Sequence, residues 1–71
     1  MGGKRTLVIG VGSIGERHVR CFQRTGRTTV SICEVDQVLC RQVAERYQID
    51  RTFTSLEEAL DHEHDLAVIC T

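Results

Sequence analysis

The 71-residue sequence predicts a doubly wound α/β fold on a parallel sheet, with about four strands and three helices. Three observations carry that expectation. Short apolar or β-branched runs alternate with longer segments of helical periodicity along the whole chain. The runs at 6–9 and 66–70 are nearly continuous in apolar side chains, the pattern of strands covered on both faces and therefore paired in parallel. A glycine-rich turn at 10–15 leads from the first run straight into the first helical segment.

Taken in order, residues 6–9 read as a buried strand that stops at Gly10. Residues 13–25 read as a helix. Ile14, His18, Cys21 and Phe22 fall on one side of it and Gly15, Val19 and Phe22 on the adjacent line, with Gly26 as the C-terminal cap. Residues 28–33 form a β-branched second strand. Asp36 caps a helix over 37–47 whose apolar positions are Leu39, Cys40, Val43, Ala44 and Tyr47. Residues 51–53 form a short third strand. Ser55 and Glu58, three apart, form a capping box that opens a short helix with Leu56, Ala59 and Leu60 on its inner side. Residues 66–70 complete the alternation as a fourth strand.

Composition excludes several classes. Nine Lys and Arg balance ten Asp and Glu for a net charge of −1, and the eight arginines are scattered among acids. A nucleic-acid binder shows a clustered basic excess, and three aromatics are too few for a base-stacking platform. The longest uncharged run, 6–15, spans ten residues, whereas a membrane-crossing helix takes about 20; a cytoplasmic location is the default expectation. Cys21, Cys33, Cys40 and Cys70 include no C-x-x-C pair and are expected as small buried hydrophobes. His62 and His64, in Asp61-His62-Glu63-His64-Asp65, stand two apart in a polar loop with no second cluster to complete a coordination shell. They are expected in a solvated loop, and no metal site is assigned.

Gly10-Val11-Gly12-Ser13-Ile14-Gly15 is the segment that carries chemistry. In a strand-to-helix context, Gly10 turns the chain tightly out of the strand. Gly12 lets a pyrophosphate approach the backbone, and Gly15 lets the helix lie close to the sheet. The unpaired first-turn N–H groups and the positive end of the helix dipole add attraction for an anion. Ser13 offers a hydroxyl to the same phosphates. Glu34 follows Gly15 by 19 residues at the end of the second strand, where a carboxylate accepts from the ribose hydroxyls of an adenosine. That carboxylate repels a 2′-phosphate, and Val35 offers no phosphate donor, which favours NAD over NADP.

The stretches VIGVGSIGERH from Val8, SICEVD from Ser31, AERY from Ala44, TSLEEAL from Thr54 and DLAVICT from Asp65 together resemble the start of the Gfo/Idh/MocA family, named for glucose–fructose oxidoreductase and inositol dehydrogenase. The resemblance spans nearly the whole chain. It implies that residues 1–71 are the N-terminal portion of an NAD(P)-binding Rossmann domain, with the catalytic α+β domain absent from this sequence. It implies an oxidoreductase that moves a hydride between a nicotinamide and a sugar, inositol or related polyol. The family's catalytic lysine, in a Glu-Lys-Pro motif, and its proton-transferring histidine have no counterpart here, and Lys4, the only lysine, precedes the first strand. No catalytic residue is therefore assigned, and the chain alone is expected to be inactive. Thr71 matches the threonine of a family Thr-Pro turn that passes the cofactor, with Cys70 beside it. His18 matches a histidine of the family's first helix and is expected to serve packing. A complete dinucleotide fold has about six strands, so four suggest a fragment, and the open edge of the last strand invites pairing into a homo-oligomer. An alternative reading is an NAD-sensing regulatory module without catalysis, distinguished by the sequence after residue 71.

Overall fold

Four strands and three helices alternate along residues 4–70, the part that the computed structural model describes. They are β1 (Lys4–Ile9), α1 (Ser13–Thr25), β2 (Thr28–Cys33), α2 (Gln37–Tyr47), β3 (Thr52–Phe53), α3 (Leu56–Leu60) and β4 (Leu66–Ile69). The strands lie in the order β3-β2-β1-β4, and every pairing is parallel. Each strand-to-strand connection therefore crosses over through a helix, as the alternation predicts. The expected Rossmann-like architecture is the observed one.

Parallel register decides which side chains share a face. Val8 lies beside Ile32, and on that face Val11, Val19, Val30, Cys40, Val43 and Ile49 close a single apolar cluster beneath α1 and α2. Leu7, Cys33 and Phe53 point the other way and meet Ala59 of α3. The two faces are thus covered by different helices. Asp36 Oδ1 accepts from Val38 N and Leu39 N, both at 3.1 Å, and so fixes the start of α2. Ser55 Oγ accepts from Glu58 N at 3.1 Å and does the same for α3. Gly26 caps α1 as expected.

Three expectations need correction. The inward line of α1 is Gly15, Val19 and Phe22, whereas Ile14 is 64% exposed and Cys21 is exposed. Gly15 approaches the end of β1 so closely that it sets the rotation of the helix, and Cys21 is not a buried hydrophobe. Leu56 and Leu60 stay largely exposed, and of the three inner positions in α3 only Ala59 is buried. Finally, β4 is not covered on both faces: Leu66, Ala67 and Ile69 are exposed, because α1 lies over β1 and β2 while α3 lies over β3.

The histidine loop is exposed at Asp61, His62, Glu63 and Asp65, as expected, with His64 half-buried. The Phe53 ring lies 5.0 Å from His62 and meets His64 edge-on at 6.1 Å between centroids. His64 Nε2 lies 2.8 Å from the Ala59 carbonyl oxygen. The two rings thus fasten the end of α3 to β3. His18, half-buried, lies 6.4 Å from the Phe22 ring, in keeping with a packing role.

Glu16 ties α1 to α2: its Oε2 accepts from Tyr47 OH at 2.7 Å and from Arg46 Nη1 at 2.6 Å. The Tyr47 hydroxyl, and then the Arg46 guanidinium, hold the Glu16 carboxyl below its ordinary 4.5. A carboxyl lowered on folding contributes stability that is fully present above its unfolded value and lost as pH falls through the folded one. Glu16→Gln should therefore melt below the unsubstituted chain at neutral pH, and the gap should close as pH falls well below 4.5. Thermal melts of both proteins across that range check this.

Candidate functional site

The carboxyl ends of β1, β2 and β4 meet at one edge of the sheet, held together by backbone bonds. Gly10 N donates to Cys33 O and Cys70 N donates to Ile9 O, each at 2.8 Å. Gly10 carries φ 89°, a left-handed conformation in which a Cβ is strained, and this lets the chain leave β1 sharply. Gly15 stands so near that a Cβ on it would overlap the Gly10 carbonyl oxygen and lie 3.6 Å from the Cys70 Cβ. Its side-chain-free surface is a packing requirement of the fold.

Gly12 is different. Its φ of −65° and ψ of −163° are open to any residue. A Cβ there would meet no atom within 4 Å. Neither conformation nor packing within the chain calls for glycine, whereas a ligand lying on this backbone would. No side chain caps α1 at this end, so its first-turn N–H groups are free to face an anion. Ser13 and Ile14 sit exposed in that first turn.

Glu34 joins the turns after β1 and β2. Its Oε1 accepts from Val11 N at 2.9 Å and its Oε2 from Asp36 N at 3.0 Å. Each oxygen keeps a second lone pair for a hydroxyl donor. A cleft of about 260 Å³ opens beside it, lined by Ile9, Gly10, Cys33, Glu34, Val35 and Leu56. Three larger hollows, of about 380, 470 and 280 Å³, lie along α2 and at the amino edge of the sheet, and none borders the glycine turn.

Of the residues that the sequence singles out, Gly10, Gly12, Ser13, Ile14, Gly15, Glu34 and Cys70 gather at this edge. Thr71 lies outside the described residues. Sequence reasoning missed the apolar lining from Leu56, which no local pattern marks. It also read Asp36 only as a helix cap, although its position two residues after Glu34 places it at the same corner. Burial, first of all, pushes the thiols of Cys33 and Cys40 up, so both stay neutral packing groups. Among the described residues no helix is long and apolar enough to cross a membrane.

Solved structures share this fold. The WlbA dehydrogenase from Chromobacterium violaceum, in complex with NADH and UDP-GlcNAcA, superposes with a TM-score of 0.86 at 22% identity, over 100% of this chain and 21% of that one. An oxidoreductase from Agrobacterium radiobacter, in complex with NAD+, L-tartaric acid and magnesium, gives 0.85 at 18%, over 96% and 20%. The WlbA dehydrogenase from Bordetella pertussis, with NADH and UDP-GlcNAcA, gives 0.84 at 24%, over 97% and 22%. The chain thus spans about a fifth of the length of these proteins. No curated protein matches it. The model of the GFO_IDH_MocA oxidoreductase family, described as an NAD-binding Rossmann fold, matches residues 4–71, and the chain belongs to that family.

Proposed function

We propose that the carboxyl edge of the sheet binds NAD(H), with NAD preferred over NADP. The observation that carries this is Gly12, whose glycine answers no need of the fold and borders open space above uncapped N–H groups. In this reading Gly10, Gly12, Ser13, Ile14 and Gly15 hold the pyrophosphate, and Glu34 accepts from the adenosine ribose hydroxyls. Cys70 and Thr71 flank the cofactor. A bound nicotinamide supplies hydride acceptance or donation. The residues of this chain bind and orient it and offer no acid or base to the reacting carbon. Residues 1–71 would then be the first portion of a dinucleotide-binding domain, in keeping with the share of the solved neighbours that they cover. In the longer protein the hydride would pass to or from a sugar, inositol or related polyol. Two neighbours solved with a nucleotide sugar and one with a hydroxy acid support that breadth.

Titration followed by NADH fluorescence tests the reading: saturable binding by the folded chain is expected, and its absence overturns it. With a panel of sugars and inositols the 71-residue chain should show no turnover, since in this reading its carboxylates at the site serve the ribose end and none is assigned to the reacting carbon. Glu34→Ser should weaken NADH about tenfold or more, the loss of one to two charge-assisted hydrogen bonds. NADPH affinity should fall far less, because the ribose carboxylate opposes its phosphate. Competition binding reads the ratio, and an unaltered ratio removes Glu34 from the ribose.

A further inference from the structure

We propose that Arg46 and Tyr47 are positioning residues for the phosphate site: from the far end of α2 they hold and neutralise Glu16, the acid in the first turn of α1. The inference rests on the dinucleotide reading of the site and extends it beyond the glycine turn. Glu16 follows Gly15 directly and is the acidic residue of that first turn. Its own N–H closes the helix onto Gly12 O at 2.8 Å. A carboxylate there suits the positive end of the helix in the free chain, yet it opposes a pyrophosphate drawn to the same end. Phosphate binding therefore needs a group that turns this acid aside and answers its charge.

The last turn of α2 supplies it. Tyr47 lies along α1, tied at both ends. Its carbonyl oxygen accepts from Gln23 Nε2 at 3.0 Å, and its hydroxyl donates to Glu16 Oε2 at 2.7 Å, about two helical turns nearer the glycine turn. Arg46 Nη1 donates to the same oxygen at 2.6 Å. With both donors converging on Oε2, the carboxyl is held below its ordinary value, by the Tyr47 hydroxyl first and Arg46 next. Arg20, one turn along α1, makes no ion pair with Glu16 and lowers it least. The other ion pairs among the described residues join Arg5 to Glu63 and to Asp65. Arg46 is therefore the cation that cancels Glu16. Without it a full negative charge stands in the turn whose N–H groups are assigned to the phosphates.

NADH titrations of the unsubstituted chain, Arg46→Met, Arg46→Lys, Tyr47→Phe, Glu16→Gln and the double variant Glu16→Gln/Arg46→Met test this, each protein checked for folding by circular dichroism. Methionine keeps an apolar stem in place of arginine and removes the charge. Arg46→Met is expected to weaken NADH about fivefold at low salt, and the loss should shrink in about 1 M salt. Arg46→Lys should keep most of the affinity. Tyr47→Phe should lose less than Arg46→Met, because the charge on Arg46 remains. Glu16→Gln should bind NADH at least as tightly as the unsubstituted chain in spite of its lower melting temperature. Added to Arg46→Met, it should restore the affinity. A tie that serves only to join the helices has the opposite result: Glu16→Gln weakens binding as Arg46→Met does, and the double variant is no better than either alone. That outcome overturns the proposal, as does an NADH affinity that Arg46→Met leaves unchanged. If the folded, unsubstituted chain binds no NADH, the dinucleotide reading itself falls, and this inference with it.

Discussion

Gly12→Val is expected to weaken NADH binding by about a hundredfold, equivalent to roughly 3 kcal/mol of lost backbone–phosphate contact. The valine Cβ would stand where, apart from the adjoining residues, no atom lies within 4 Å, and its methyl groups would enter the space assigned to the pyrophosphate. The fold bears the change lightly. Gly12 has backbone angles that valine adopts, and its place as N-cap makes the substitution worth about 0.5–1 kcal/mol in helix stability. The affinity loss is therefore several times the stability loss. NADH titration with a parallel thermal melt separates the two, and an unchanged affinity would mean that the phosphates lie elsewhere.

Gly15→Ala should do the reverse. Its Cβ would be driven into the Gly10 carbonyl, a backbone group that cannot swing aside. Overpacking of this kind costs about 1–3 kcal/mol, occasionally more. For a domain of this size each kcal/mol lowers Tm by roughly 4–8 °C. A small domain holds only a few kcal/mol in reserve, so the substitution consumes a large part of it. Thermal denaturation of Gly15→Ala and Gly12→Ala side by side should show a large drop for the first and a small one for the second. Equal melting temperatures would deny Gly15 its place in the packing. Two glycines three residues apart in one motif thus answer to different constraints, one from the ligand and one from the sheet.

Much of the fold was legible because its punctuation is local. The bounds of α1, α2 and β2 follow from Gly26, Asp36 and a β-branched run, each acting within a few residues of itself. Features decided at a distance were hidden. Lys4 and Arg5 extend β1 through backbone pairing with Thr28 and Thr29, which their polar side chains do not announce. The rotation of α1 is set by the contact between Gly15 and Gly10, so the more hydrophobic-looking line through Ile14 and Cys21 faces outward. The exposure of β4 depends on where α1 and α3 lie, and His62 and His64 find Phe53 only once β3 and the loop are brought together. The site divides in the same way. The glycine spacing and the distance to Glu34 are written along the chain. That Glu34 bridges the backbone of Val11 and of Asp36 requires the turns after β1 and β2 to be brought together.

The proposed function requires the glycine turn and the end of β2 to form one nucleotide site. Two-dimensional amide NMR of the isotopically labelled chain, titrated with NADH, tests it most directly. Saturable shifts are expected at the amides of Val11, Gly12, Ser13, Ile14 and Gly15, together with Glu34 and Asp36, and those of Arg41, Glu45 and Asp50 beside α2 should stay in place. Shifts confined to the α2 hollow, or none across the folded chain, would contradict a nucleotide site at this edge.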